Sequence, residues 1–251
     1  MKKQFDTTPL ERDFFRYAEN IFIQSEDQVD LPICRYISLM NLLFLFDGEF
    51  KVNNRKTFWG DKTEKGEYKQ KWMKYPFFTP AGQKLTNEQR LECQYHSEQE
   101  FLSQYLYISS WTDDLTESYL MWKAYTSGGS GVRIETTLRK LLEVLQSGIT
   151  GYKIFCGFPS YERSRPKWSQ FDKVFLKQDE YRSEREYRIA FVPNDMTAAR
   201  RQSQCCIEFS EGFIDKIILS PFLSAPDAKS LKEMLKRFDQ YVKVIESSVP
   251  A

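Results

Sequence analysis

The stretch DEYRSEREYRIAF, residues 179–191, contains charged residues whose spacing suits chemistry. Successive side chains of an extended chain point to opposite faces, so this stretch would place its apolar residues on one face and Glu184, Glu186 and Arg188 on the other. Two carboxylates on one face can accept a proton or stabilise a developing positive charge. The alternative is a solvent-exposed strand face on which Arg188 simply pairs with Glu186.

Two other segments place polar residues in predicted strands. LPICRYIS, residues 31–38, predicts a strand in which Arg35 has mostly apolar neighbours, and an arginine there needs a partner. A second strand is predicted over 105–111, followed by a helix. Ser110 and Thr112 at its end are either functional hydroxyls or the cap and turn residues before that helix.

Strands and helices follow one another without a regular βαβ rhythm. This pattern predicts an α+β fold with a largely antiparallel sheet flanked by helices. We expect one domain over residues 1–251, with a helical lead-in at 1–30, a core at 31–223 and a C-terminal helix and strand at 224–251. A polar, lysine-rich insertion is expected within the core, near 53–100.

Composition excludes several classes of function. The 251 residues carry a formal net charge of +1, so no global field attracts a nucleic acid or a membrane. No apolar run reaches the ~18 residues that a membrane span needs, and the N-terminus does not resemble a secretory signal. Five cysteines without CxxC spacing predict reduced thiols in a cytoplasmic protein, and one histidine, His96, argues against a metal site or Ser-His-Asp chemistry.

Four blocks of the sequence together resemble a bacterial family, domain-of-unknown-function family 2971. They are CRYISL, ISSWTDD with LMWKAYTSGGSGVRIE, FLKQDEYRSEREYRI and IDKIILSP, and the resemblance covers most of the chain, roughly residues 31–223. The family's Phe-Asn-Asp-Pro block is replaced here by NNRKTFWGDKTEKG, so nothing is carried over for that region.

The same blocks resemble, more distantly, the Arg–Ser–Glu arrangement of NAD-dependent ADP-ribosyltransferases. In those enzymes an arginine ends one strand, Ser-x-Ser/Thr ends a later one, and Glu-x-Glu opens a third. The matching positions are Arg35, Ser110-x-Thr112 and Glu184-x-Glu186. This resemblance implies a split, mostly antiparallel sheet and NAD as a substrate, with no metal.

The resemblance also implies a role for each residue. Cleavage of the nicotinamide–ribose bond builds positive charge on the ribose, as in glycoside hydrolysis, and a carboxylate beside the ribose stabilises it. Glu186 is assigned that role, Glu184 would accept a proton from the acceptor, and Ser110 would orient Glu186. Arg35 would bind the pyrophosphate or ribose of NAD, with a structural carboxylate as its alternative partner.

The remaining cofactor-binding candidates are Thr112 and three aromatic residues, Tyr36, Trp111 and Tyr125, which could stack on nicotinamide. Trp122 is a further aromatic candidate, but its apolar helix favours packing in the core. The sequence does not choose among these rings.

The leading hypothesis is therefore transfer of ADP-ribose to a macromolecular acceptor, either nucleic acid or protein, by a bacterial toxin or phage-defence effector. Such effectors imply a neutralising antitoxin or immunity partner. One alternative is a non-catalytic module that binds single-stranded nucleic acid through NRKTFWGDKTEKGEYKQKWMKYPFF and YERSRPKWSQF. Another is NAD hydrolysis, in which water replaces the acceptor.

Overall fold

The structure is a computed structural model. It describes residues 7, 11–53, 84–87, 89, 106–161, 174–175, 177, 179–195, 204–208, 212–238 and 242–250. The strands are β1 (Phe15–Ala18), β2 (Ile21–Ile23), β3 (Pro32–Ser38), β4 (Glu49–Asn53), β5 (Tyr107–Thr112), β6 (Gly131–Thr137), β7 (Tyr152–Gly157), β8 (Glu186–Pro193), β9 (Gln204–Glu208), β10 (Lys216–Leu219) and β11 (Lys243–Glu246). The helices are α1 (Leu39–Phe46), α2 (Tyr119–Tyr125), α3 (Leu138–Gly148) and α4 (Ala225–Phe238).

Nine of these strands form one sheet in the order β1-β2-β7-β8-β5-β3-β6-β10-β11, and β4 pairs with β9 in a second, two-stranded sheet. Only the β2–β7 and β10–β11 pairs are parallel among the described strands. The prediction of a mixed α+β fold with a mostly antiparallel sheet is therefore confirmed.

The two faces of the large sheet differ in chemistry. One face, the core face, carries the main apolar cluster of Ile33, Trp111, Ile134, Tyr187 and many others. Five buried residues of α3 join that cluster, because leucine and valine recur on one side of the helix.

The opposite face, the site face, carries Glu186 and Arg188, which alternate along β8 with the apolar residues of the core face. Two small apolar clusters lie on this face. One surrounds Phe155 and the other surrounds Trp122. Polar side chains occupy the strands between them, and the candidate site lies in this polar band.

The predicted helical lead-in at 1–30 is wrong for residues 15–23, which form the antiparallel pair of β1 and β2. All three residues of β2 are buried, and β2 also pairs with β7 in the centre of the chain. Aromatic and β-branched residues that are buried on both faces of a sheet favour a strand over a helix.

Most of the polar insertion predicted near 53–100 lies outside the described residues. In the part of the chain that the structure covers, no helix is long and apolar enough to cross a membrane.

Candidate functional site

Glu186 is the centre of the polar band on the site face. Its Oε1 accepts hydrogen bonds from the Ser110 hydroxyl at 2.5 Å and from Arg188 Nε at 3.0 Å. Its Oε2 accepts from Arg188 Nη2 at 3.0 Å and lies 2.8 Å from Lys177 Nζ. The carboxylate is only 2% exposed, so these donors fix its position and replace water around it.

Lys177 links the two glutamates. Its ammonium lies 2.5 Å from Glu184 Oε2 and 2.8 Å from Glu186 Oε2, and its side chain is 7% exposed. The backbone N–H of Lys177 donates to Ser160 O at 3.0 Å, and this hydrogen bond holds the main chain at Lys177. The side chain extends from that fixed position to the two glutamates. One cation thus contacts both carboxylates.

The surrounding charges determine the protonation states of Glu186 and Lys177. Burial by itself would raise the pKa of Glu186, but the cations of Arg188 and Lys177 lower it to about 2. Burial by itself would lower the pKa of Lys177, but Glu186 and Glu184 raise it. At neutral pH Glu186 is a carboxylate and Lys177 an ammonium.

Glu184 reaches the site by a different route from the one predicted. It is the last residue of a 3-10 helix, Asp179–Glu184, and β8 begins only at Glu186. Between them Arg185 has a φ of 45°, a left-handed conformation that turns the chain. The prediction that Glu184 shares a strand face with Glu186 is therefore wrong, although Lys177 brings the two carboxylates together.

An ion pair with the end of β5 stabilises the left-handed turn at Arg185. Arg185 Nε and Nη2 donate to the two carboxylate oxygens of Asp113 at 2.9 and 2.7 Å. Asp113 directly follows β5, so this bidentate ion pair ties the start of β8 to the end of β5 beside the site.

Solvent reaches the site face at Ser110. It lies in β5, near the middle of the nine-stranded sheet, yet it is exposed while both of its neighbours in the strand are buried. Its hydroxyl donates to the otherwise enclosed Glu186. A small molecule could therefore approach Glu186 from the side of Ser110.

Replacement of Ser110 by alanine should lower the free energy of unfolding by about 1 kcal/mol, because Glu186 loses one donor and keeps three others. Urea unfolding at pH 7 measures the change. Ser147→Ala is a matched control, since that exposed hydroxyl contacts only helix carbonyls and its loss should cost no more than about 0.5 kcal/mol. Equal costs for the two variants would contradict a stabilising Ser110–Glu186 bond.

Three other predicted residues lie on the same side of the sheet. The Tyr125 hydroxyl donates to Glu184 Oε1 at 2.9 Å, and the residue is 46% exposed. Thr112 is opposite Glu186 in the β5–β8 register, and its hydroxyl accepts the backbone N–H of Asp114, as a turn residue would. Tyr36 is buried, and its ring packs edge-on against Trp122 at 4.8 Å.

Arg35 and Trp111 do not join this group. Arg35 is opposite Ile134 in the β3–β6 register and donates to Ser109 Oγ at 2.8 Å, so it lies on the core face. Trp111 is opposite Tyr187 on the same face. The expectation that these two residues lie beside Glu186 is therefore wrong, because the sheet separates them from the carboxylate.

Sequence reasoning missed Lys177. Its only signal was a lysine in the polar segment before the Glu-x-Glu motif. It also missed a second buried ion cluster on the site face, in which Arg133, 1% exposed, pairs with Glu135, and Glu135 pairs with Lys216. Alternation in GVRIE puts Arg133 and Glu135 on one face of β6, and that was a usable signal.

Comparison with known proteins adds no relative: no family model matches the chain, and neither the curated proteins nor the solved structures contain a match. Within the described ranges, no group of three or more His, Cys, Asp or Glu side chains is arranged to hold a metal ion.

Proposed function

We propose that this protein is an NAD-dependent ADP-ribosyltransferase that modifies a macromolecular acceptor. One observation carries the proposal. The exposed Ser110 hydroxyl donates to Glu186, so a fixed carboxylate lies beside a solvent-accessible point of the site face. The order of the Ser-x-Thr and Glu-x-Glu motifs along the chain supports the same reaction.

Glu186 suits a group that stabilises an oxocarbenium ion. Its low pKa keeps it ionised at neutral pH, and Ser110 and Arg188 hold its oxygens in place before any substrate binds. A charge that is already oriented need not reorganise during the reaction, which is how electrostatic catalysis obtains its largest effect.

Glu184 suits proton transfer to and from the acceptor. Its side chain is 20% exposed, more than that of Glu186, and it shares its carboxylate between Tyr125 and Lys177. It therefore lies between the enclosed Glu186 and solvent, where a macromolecular nucleophile would arrive.

Lys177 takes the place that the sequence had assigned to Arg35. Arg35 is on the other face of the sheet, whereas the Lys177 ammonium is in the site and contacts both carboxylates. In our proposal Lys177 turns toward the substrate's phosphates, which frees Glu186 to act on the ribose.

The test is release of nicotinamide from NAD by the purified full chain, with cell lysate as the source of acceptor. We expect Glu186→Gln to lower the rate at least about 100-fold, the usual effect of removing one preorganised charge. Glu143→Gln is the control, because this exposed glutamate is on α3, which packs on the core face. A second variant, Glu184→Gln, should lower the transfer of ADP-ribose to the acceptor more than it lowers nicotinamide release.

Folding must be separated from chemistry, since Glu186 is part of a buried network. Each variant is assayed at a temperature at which circular dichroism shows it folded. Free ADP-ribose as the only product would make the protein an NAD hydrolase. If the wild type releases no nicotinamide with lysate present, the transferase proposal fails.

A non-catalytic binding module is the second candidate, and the burial of Glu186 favours it. Glu186 is 2% exposed and already contacts Ser110, Arg188 and Lys177, as a structural ion cluster would. Of the two cationic, aromatic segments that suggested nucleic-acid binding, only Tyr161 is among the described residues. Binding of single-stranded nucleic acid that persists in Glu186→Gln and weakens steeply with salt would support this candidate.

A further inference from the structure

A cavity of about 470 Å³ lies at one edge of the large sheet, beyond the carboxyl ends of β10 and β11. These two strands are parallel and α4 connects them, so they form a βαβ unit within a mostly antiparallel sheet. A crevice outside the carboxyl ends of parallel strands is where α/β sheets commonly bind their ligands. The volume of the cavity is in the range of small-molecule sites.

One side of α4 lines this cavity. Four of its residues there have the spacing of a single helix face, namely Ala225, Ala228, Lys229 and Lys232. The two alanines leave space at the start of the helix. The two lysines place two positive charges on the same wall of the cavity.

The ends of the strands line the other side. Leu219 and Ser220, which end β10, are buried, so the cavity reaches the interior of the protein. Glu246 and Ser247 line it at the end of β11. The backbone N–H of Ser247 donates to Leu219 O at 3.2 Å, and this bond holds the two strand ends side by side. This wall therefore offers a carboxylate and hydroxyl groups opposite the lysines.

The positive charge of the cavity comes from the lysines and not from the end of the helix. Ser224 Oγ accepts the backbone N–H of Asp227 at 3.3 Å and donates to the Asp227 carboxylate at 2.6 Å. The chain thus caps α4 with its own side chain and places an acidic residue in its first turn. Lys229 and Lys232 follow in the second turn.

We propose that this cavity binds a small phosphomonoester whose organic part carries hydroxyl groups, as in a sugar phosphate or a nucleoside monophosphate. A phosphate monoester has up to two negative charges and three acceptor oxygens, which suit two ammonium groups on one wall. Glu246 on the facing wall can accept hydrogen bonds from hydroxyl groups, and it would repel a second phosphate group. Apolar lining residues such as Leu219 and Leu223 would contact the carbon skeleton.

The inference is independent of the transferase proposal. α4 packs on the core face through Leu231 and Leu235, whereas Glu186 is on the site face. Three strands, β5, β3 and β6, also lie between β8 and β10. The cavity and the Glu186 site are therefore separate in position and in chemistry.

Isothermal titration calorimetry of the full chain tests the proposal with adenosine monophosphate and glycerol phosphate. Inorganic phosphate, adenosine and glycerol serve as partial ligands. The ionic strength is the same in every titration, because salt screens the attraction between lysines and anions. We expect one saturable site for at least one of the two esters. Inorganic phosphate should bind at least about 5-fold more weakly, since it lacks the hydroxyl contacts, and adenosine and glycerol should not bind saturably.

Substitutions on α4 locate the site. Lys232→Met should weaken ester binding at least about 10-fold, the usual effect of losing a hydrogen bond to a charged group. Lys236→Met is the matched control, because this exposed lysine is on the same helix but does not line the cavity. Ala225→Leu keeps both lysines and fills space at an exposed position, and it should weaken binding at least about 5-fold. This variant also covers the case in which Lys232→Met does not fold.

A substitution on the facing wall tests the choice of ligand. Glu246→Gln should weaken binding of the ester at least about 5-fold, because the carboxylate no longer accepts the hydroxyl hydrogen bonds. The same variant should bind inorganic phosphate no more weakly than the wild type, since a repulsive charge has been removed. Equal weakening of both ligands would overturn the role of Glu246.

Saturable ester binding that is weakened in Lys232→Met and Ala225→Leu and kept in Lys236→Met supports the site. The inference is overturned if neither ester binds saturably. It is equally overturned if Lys236→Met weakens binding as much as Lys232→Met, as non-specific attraction to the helix would require. Equal affinity for inorganic phosphate and for the esters would overturn the assignment to an organic phosphate. Nicotinamide release is a separate measurement, so failure of this site and failure of the transferase proposal are distinguishable.

Discussion

Replacement of Glu186 by glutamine is expected to lower the free energy of unfolding by about 3–5 kcal/mol, the usual cost of removing one partner of a buried ion pair. The substitution preserves the shape of the side chain but removes its charge. Arg188 and Lys177 then remain buried, at 3% and 7% side-chain exposure, opposite a neutral amide. Arg188 loses its bidentate partner, and Lys177 keeps Glu184 as a carboxylate partner.

Urea unfolding at pH 7 measures this loss, and a double-mutant cycle assigns it. Lys177→Met removes one of the two cations, so the double variant should be more stable than the sum of the single effects implies, by at least about 1 kcal/mol. Glu143→Gln, on an exposed helix position, should change the stability by no more than about 0.5 kcal/mol. A loss below about 1 kcal/mol in Glu186→Gln would mean that the network is solvated and not a buried ion cluster.

The pattern of β8 could be predicted from sequence because alternation is a local property. The apolar residues from Tyr187 onward and the polar Glu186 and Arg188 separate onto two faces, as in the structure. The alternation fails at Glu184, because the left-handed conformation of Arg185 turns the chain before β8 begins. That turn is supported by Asp113, which lies 72 residues away in sequence, so no local pattern shows it.

The position of Arg35 could have been predicted and was not. Along β3, Arg35 is two residues from both Ile33 and Ile37, so strand parity alone puts it on the same, apolar face. Along β5 the same parity separates Ser110 from Trp111. Arg35 was placed beside Glu186 from the order of the motifs along the chain. That order does not determine on which face of a sheet a residue lies.

Lys177 lay beyond sequence reasoning for another reason. It precedes the 3-10 helix and belongs to no periodic element, so neither helical nor strand spacing gives its direction. Only the tertiary structure shows that its ammonium meets Glu184 and Glu186. A cation that completes a site from an irregular segment is the kind of residue that single-sequence analysis misses.

The buried network also makes the protein acid-sensitive in a defined range of pH. The pKa of Glu186 is lowered in the folded state from its ordinary value of 4.5 to about 2. The unfolded state therefore binds more protons than the folded state between these values. The stability that Glu186 contributes is fully present above pH 4.5 and is lost as the pH falls toward 2. For a group this well buried the linked free energy is about 3 kcal/mol.

Comparison of the wild type with Glu186→Gln isolates this effect, because other acidic groups with lowered pKa values, such as Glu135 and Glu117, are common to both proteins. The difference in urea stability between the two should be largest at pH 7, shrink below pH 4.5 and nearly vanish by pH 2. Arg188 and Lys177 stay protonated throughout, so the change comes from the carboxylate alone. A difference that stays constant from pH 7 to pH 3 would show that Glu186 titrates normally and that the two cations do not hold it ionised.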